Sequence, residues 1–175
     1  MKKFLSVILA GAMMASLTAC GGGATETTPA ETTVEETTRK APETLGEALL
    51  SDFEDRVAEN AEATAQELAD GIITNEMILF SGATMPMEEG YLTGFGEAEI
   101  TGFEECVMFA PMIGTIPFVG YVFDMEDAEG AEALVDVLKE NADPRWNICT
   151  EAEETIVGTA EDKVFFVMCP KSLEE

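Results

Sequence analysis

The chain has 175 residues, with 35 acidic side chains against 9 basic ones, no histidine, and a formal net charge of −26. A field of that sign repels phosphate backbones and excludes nucleic acid as a partner. The lack of histidine removes the commonest general base at neutral pH and the commonest nitrogen ligand for zinc or copper, so neither an enzyme nor a bound cofactor is expected.

Met1 to Ala19 reads as an export signal, with Lys2 and Lys3 as its positive start and an apolar or small run from Phe4 to Leu17. Only Ser6, Gly11 and Ser16 interrupt that run, which is short for a spanning helix of about 20 apolar residues. The tetrapeptide Leu17-Thr18-Ala19-Cys20 resembles the bacterial lipobox. The resemblance implies that the Cys20 sulfur takes a diacylglyceryl group, that the preceding peptide bond is cut, and that Cys20 begins the mature chain. Two acyl chains such as palmitate hold a protein stably on a bilayer, where one binds only marginally. The expectation is a lipoprotein of the cell membrane, anchored on its extracytoplasmic side.

Gly21 to Thr44 is built mostly of Gly, Thr, Glu, Ala and Pro and holds almost nothing to bury, so it is expected to be a disordered tether. Fully extended it reaches about 80 Å, and as a coil it averages nearer to about 27 Å. The domain organisation is therefore a signal over 1–19, a lipidated cysteine and tether over 20–44, and an acidic domain over 45–175. The acidity should hold the domain off anionic head groups. A basic protein surface, a polycation or divalent cations are compatible partners, although charge of this kind also serves simply to keep a domain soluble.

Thr44-Leu45-Gly46-Glu47 has the form of a capping box. A long helix is expected behind it, with an apolar stripe through Leu49, Leu50, Phe53, Val57, Ala61, Ala65 and Leu68 and a left-handed stop at Gly71. Met77 to Phe80 reads as a short strand, broken by Ser81 to Pro86. Glu104 to Phe109 and Phe118 to Phe123 read as strands, the second apolar on both faces and so central, under a helix. Asp124 is placed as the cap of a second helix, from about Met125 to Ala142, with Ala128, Ala131, Leu134, Val135, Leu138 and Ala142 on its core side. Thr155 to Thr159 and Lys163 to Met168 form a hairpin, and Pro170 ends the sheet. The expected fold class is α+β: an antiparallel sheet of about four strands with two helices packed on one face, in the order α-β-β-α-β-β.

Val107 to Met112, Phe118 to Asp124 and Lys163 to Pro170 together resemble uncharacterised lipoproteins of Firmicutes, which carry a small α+β domain of unknown function behind a lipobox. The resemblance spans about Leu45 to Pro170 and implies fold and location, without an activity.

Besides Cys20 there are three cysteines, so at most one disulfide can form among them. Cys149 and Cys169 flank the terminal hairpin and are the pair expected to meet, with three reduced thiols as the alternative. Cys106 suits a buried small hydrophobe. Scattered methionines such as Met85 and Met87 read as core filling rather than as a copper site. The acidic run Asp124 to Glu129 lacks the register of a calcium loop. No nucleophile motif is present, and Glu104 with Glu105 or Glu153 with Glu154 are neighbours that a strand would point apart. The leading functional expectation is a binding or interaction module for a surface protein, peptide or small molecule, through an exposed patch of Tyr91, Phe95 and Trp146. A structural envelope lipoprotein without a ligand is the alternative, and a carboxylate hydrolase ranks last.

Overall fold

The computed structural model describes residues 41–173. The signal 1–19, the lipidation candidate Cys20 and the tether up to residue 40 lie outside the described residues. The elements in chain order are α1 (Leu45–Glu59), α2 (Ala65–Ile72), β1 (Gly82–Pro86), β2 (Gly90–Tyr91), β3 (Glu99–Ile100), β4 (Glu105–Pro111), β5 (Val119–Asp124), α3 (Ala128–Asn141), β6 (Glu154–Ala160) and β7 (Lys163–Cys169). The fold is α+β. Its main sheet is antiparallel throughout, in the order β1-β4-β5-β7-β6, and β2 pairs separately with β3.

The central strands explain the layering. Alternate residues of β4, β5 and β7 enter two different cores. Val107, Phe109, Val122, Phe165 and Val167 face α1 and α2, packing against Leu49, Phe53, Val57, Leu68 and Ile72. Cys106, Tyr121, Phe123, Val164, Phe166 and Met168 face α3 and the 87–103 segment, packing against Phe95, Ile100, Leu134 and Leu138. A strand apolar on both faces requires cover on both. The expected arrangement of two helices on one face is therefore corrected: α1 and α2 lie on one side, α3 on the other, and the sheet has five strands rather than about four.

The expected long helix is two helices. Asn60 leaves the helical region with φ −148° and ψ 92°, and Thr64 then caps α2 in a complete capping box with Glu67. At α1 the Thr44 hydroxyl accepts from the Glu47 amide at 3.3 Å, while the Glu47 carboxylate accepts from Glu43 instead of completing the box. Gly71 is not a left-handed stop. It sits inside α2 because the Arg56 guanidinium occupies the space its Cβ would need, and its carbonyl accepts from Arg56 Nη2 at 3.2 Å.

Met77 to Phe80 is a loop, and β1 is the stretch that was expected to break it. Pro86 is tolerated there because it ends an edge strand. The helix cap is Asp127 rather than Asp124, its Oδ1 accepting from Gly130 N at 2.8 Å, and this leaves Ala128 exposed. In the centre, Gly120 lies directly across from Phe109, whose ring fills the space a Cβ would take. That ring continues into a stack with Phe165 at 6.0 Å and, through it, Phe53 at 5.5 Å. Each such buried aromatic contributes about 1.5–3 kcal/mol.

Candidate functional site

The register places five chain segments at one end of the main sheet. Val119 pairs with Met168 and Cys169 with Glu154, so the 112–118 loop, the 142–153 segment and residues 170–173 meet there. The amide of Leu45 donates to the Lys171 carbonyl at 2.8 Å, bringing the start of α1 to the same end. The 73–81 connection completes it, since Met112 N donates to Ser81 O at 3.0 Å.

This end carries exposed apolar tips among charged neighbours such as Glu43, Glu76, Glu151 and Lys171. No charged residue lies between Glu76 and Glu88, and none between Glu105 and Asp124, in a chain with 25% charged residues. The tips of those two stretches carry Leu79, Met112 and Ile113, which are 64, 71 and 76% exposed. Asn147 Nδ2 donates to the Gly114 carbonyl at 3.3 Å, which sets the neighbouring Ile148, 97% exposed, beside the same loop. Two open grooves flank the 76–81 ridge. One, of 470 Å³, is lined by Phe80, Pro111, Met112, Ile113 and Ile116, and the other, of 420 Å³, by Leu45, Met77, Leu79 and Leu173 together with the charged Glu43, Glu76 and Lys171.

Hydrogen bonds hold the ridge and loop in shape. Asp52 on α1 takes Arg56 Nε at 2.8 Å and Asn75 Nδ2 at 2.9 Å, and Asn75 in turn accepts from the amides of Met77 and Ile78. Within the loop, Thr115 N donates to Ile113 O and Phe118 N to Ile116 O. These bonds satisfy backbone groups internally and leave side chains as the outward chemistry of the end.

The sequence-expected patch does not assemble. Tyr91 on β2 is 69% exposed, but Phe95 is buried with its ring 4.7 Å from that of Phe166 and 5.7 Å from that of Tyr121. Trp146 is half-buried against the α3-side core. The expected Cys149–Cys169 disulfide is likewise corrected: both thiols are free, as is that of Cys106. Cys149 is exposed, whereas Cys169 points into the sheet and its Sγ lies 3.4 Å from Glu154 Oε1. Hairpin ends that are close in register need not aim their side chains at each other.

The buried polar groups act structurally. Burial, and then the neighbouring Glu105 and Glu154 carboxylates, push the Cys106 and Cys169 thiols far up, which denies both the thiolate a nucleophile needs. Burial also raises Tyr121, whose hydroxyl donates to Thr93 O at 2.9 Å. Lys163 is 4% exposed and bonded to Asp124 at 3.1 Å and Asp162 at 3.0 Å. Burial works against its charge, but the two carboxylates outweigh that and raise it. Glu105 Oε2 accepts from Ala65 N at the start of α2, and Glu154 Oε1 from Gly46 N at the start of α1. Among the described residues no group of three or more His, Cys, Asp or Glu is placed to hold a metal ion, and no helix is long and apolar enough to cross a membrane.

The exposed tip was missed from sequence because its residues were read as a strand and as a mere connection. Its signal was present in Met112-Ile113, apolar side chains in a segment with two prolines and a glycine that could not all be buried. Comparison of the chain with protein-family models, with curated proteins and with solved structures finds no match.

Proposed function

We propose that this protein is a lipoprotein held by Cys20 at the extracytoplasmic face of the cell membrane and works there as a binding module, with the apolar end of the domain as its contact surface. The observation that carries the binding role is the gathering of exposed Leu79, Met112, Ile113 and Ile148 at one end of the domain, while Met85, Tyr91 and Val137 are exposed singly elsewhere. Apolar side chains gathered at one place on a surface mark an interaction site, where scattered ones do not. The anchoring rests on the Leu17-Thr18-Ala19-Cys20 sequence.

Two measurements test the two parts. Intact mass of the membrane fraction should show loss of residues 1–19 and a diacylglyceryl-sized gain, both abolished by Cys20→Ala. An unmodified mass with the first 19 residues attached sinks the anchor. A photo-crosslinking residue placed at Met112 in intact cells should capture material that the same residue at Glu161, on the opposite end of the sheet, does not. Equal capture from both positions removes the binding surface.

A further inference from the structure

We propose that the apolar end docks on the surface of a lipid bilayer, with Leu79, Met112, Ile113 and Ile148 entering the interface. The proposal rests on the anchoring at Cys20 and names the partner of the contact surface described above. Connectivity comes first. Glu43 and Leu45 line the same groove as Met77 and Leu79, so everything before residue 41 joins the domain at this end. An anchor at Cys20 would draw the apolar end toward the membrane and leave the acidic end outward. An anchor this close in sequence to the domain would also hold the tip at high effective concentration near the bilayer, so a weak surface affinity suffices.

Charge decides between occupants. The Met77–Met87 and Cys106–Phe123 stretches carry no carboxylate, lysine or arginine, so Met112 and Ile113 enter the interface without desolvating a charge of their own loop, while the groove beside Leu79 keeps Glu43, Glu76 and Lys171. A basic partner would find no carboxylate on the 112–118 loop to pair with, and the Glu43 and Glu76 carboxylates beside Leu79 share their groove with Lys171. A second copy would bring two strongly acidic bodies together, whereas a neutral lipid surface brings no opposing charge. The internal hydrogen bonds of the 112–118 loop further limit the backbone donors it would present to the interface. The body is repelled by anionic head groups, and the tip is the part of the domain to which that repulsion applies least.

The exposed Cys149, next to Ile148, supplies the probe, because Cys106 and Cys169 are buried. The lipidated mature chain, labelled there with an environment-sensitive fluorophore, is reconstituted in phosphatidylcholine vesicles with and without brominated acyl chains. Docking gives blue-shifted emission and quenching by shallow bromines. The Met112→Asp, Ile113→Asp double variant lowers the docked fraction tenfold or more while the protein still floats with the vesicles, since each buried apolar side chain contributes roughly tenfold. Replacing part of the lipid by phosphatidylglycerol also lowers it. Flotation without quenching in the wild type overturns docking, as does a shift that vanishes on dilution with excess lipid, which would identify a second copy as the occupant. If the wild type does not float, anchoring has failed instead. The labelled soluble chain over excess phosphatidylcholine then decides docking by itself: bromine quenching upholds it and no quenching overturns it.

Discussion

The two ends of the main sheet are built from the same strands and differ in almost everything else. At one end, Glu105 begins β4, Asp124 ends β5, and Lys163 begins β7 beside Glu161 and Asp162, so charge surrounds every strand terminus. At the other, β4 runs into Met112 and Ile113, and β5 emerges from Ile116, Pro117 and Phe118. The charged end is closed on itself through Lys163 and its two aspartates. The apolar end leaves large side chains open. Net charge is therefore a poor description of this surface, since −26 averages over an end whose 112–118 loop has no charge and whose 73–81 connection has Glu76 alone.

The comparison can be broken or sharpened by substitution. The largest effect is expected at the charged end. Lys163→Met leaves Asp124 and Asp162 facing each other without their cation and should cost about 3 kcal/mol, read from urea unfolding. A loss near zero would mean that the closure of that end is ornamental. Raising the pH comes next. The folded state keeps protons on Cys106, Cys169, Tyr121 and Lys163 that the unfolded chain gives up more readily. The thiol contribution is whole below the ordinary thiol range of about 8.5 and is lost as pH rises above it, at about 1 kcal/mol for each thiol over the first pH unit, whereas that of Tyr121 and Lys163 begins to fall only above about 10. Urea midpoints at pH 7.5, 8.5 and 9.5 check this, and a Cys106→Ala, Cys169→Ala variant should show a shallower decline. Glu154→Ala removes the carboxylate on the Gly46 amide and should cost about 1 kcal/mol. Ile113→Asp is smallest, within about 0.5 kcal/mol of wild type, because the side chain it replaces is already in water. If Ile113→Asp unfolds the protein, the apolar end belongs to the core after all.

Much of the fold was legible in the sequence. β5, β7 and α3 follow from unbroken apolar runs and a helical stripe, signals that tertiary context reinforces. The α1–α2 break was legible too, in Thr64-Ala65-Gln66-Glu67, but a continuous alanine-rich stripe masked it. The placement of the helices was not read correctly, although Phe118 to Phe123 already showed two apolar faces that two separate layers must cover. Met77 to Phe80 misled because hydrophobicity signals a strand only where the side chains are buried, and Leu79 is not. The same limit hid the candidate site. An exposed apolar residue looks like a core residue in a sequence, and only the register of Val119 with Met168 brings Ile113, Leu79 and the entry of the chain to one end. Tyr91, Phe95 and Trp146 failed as a patch for the complementary reason: aromatic character says nothing about which way a ring turns.

The bonds at the start of α1 have a consequence for synthesis. The helix is the first element of the domain, yet its opening amides are satisfied by the Glu154 carboxylate and the Lys171 carbonyl, from the last hairpin and its exit. A chain that emerges amino-terminus first therefore carries an unfinished helix until Lys171 has appeared, an interval of the order of ten seconds at ordinary translation rates. The closure spans most of the described domain, and long-range closures form late. The first helix of the domain is thus completed only once its last hairpin is in place.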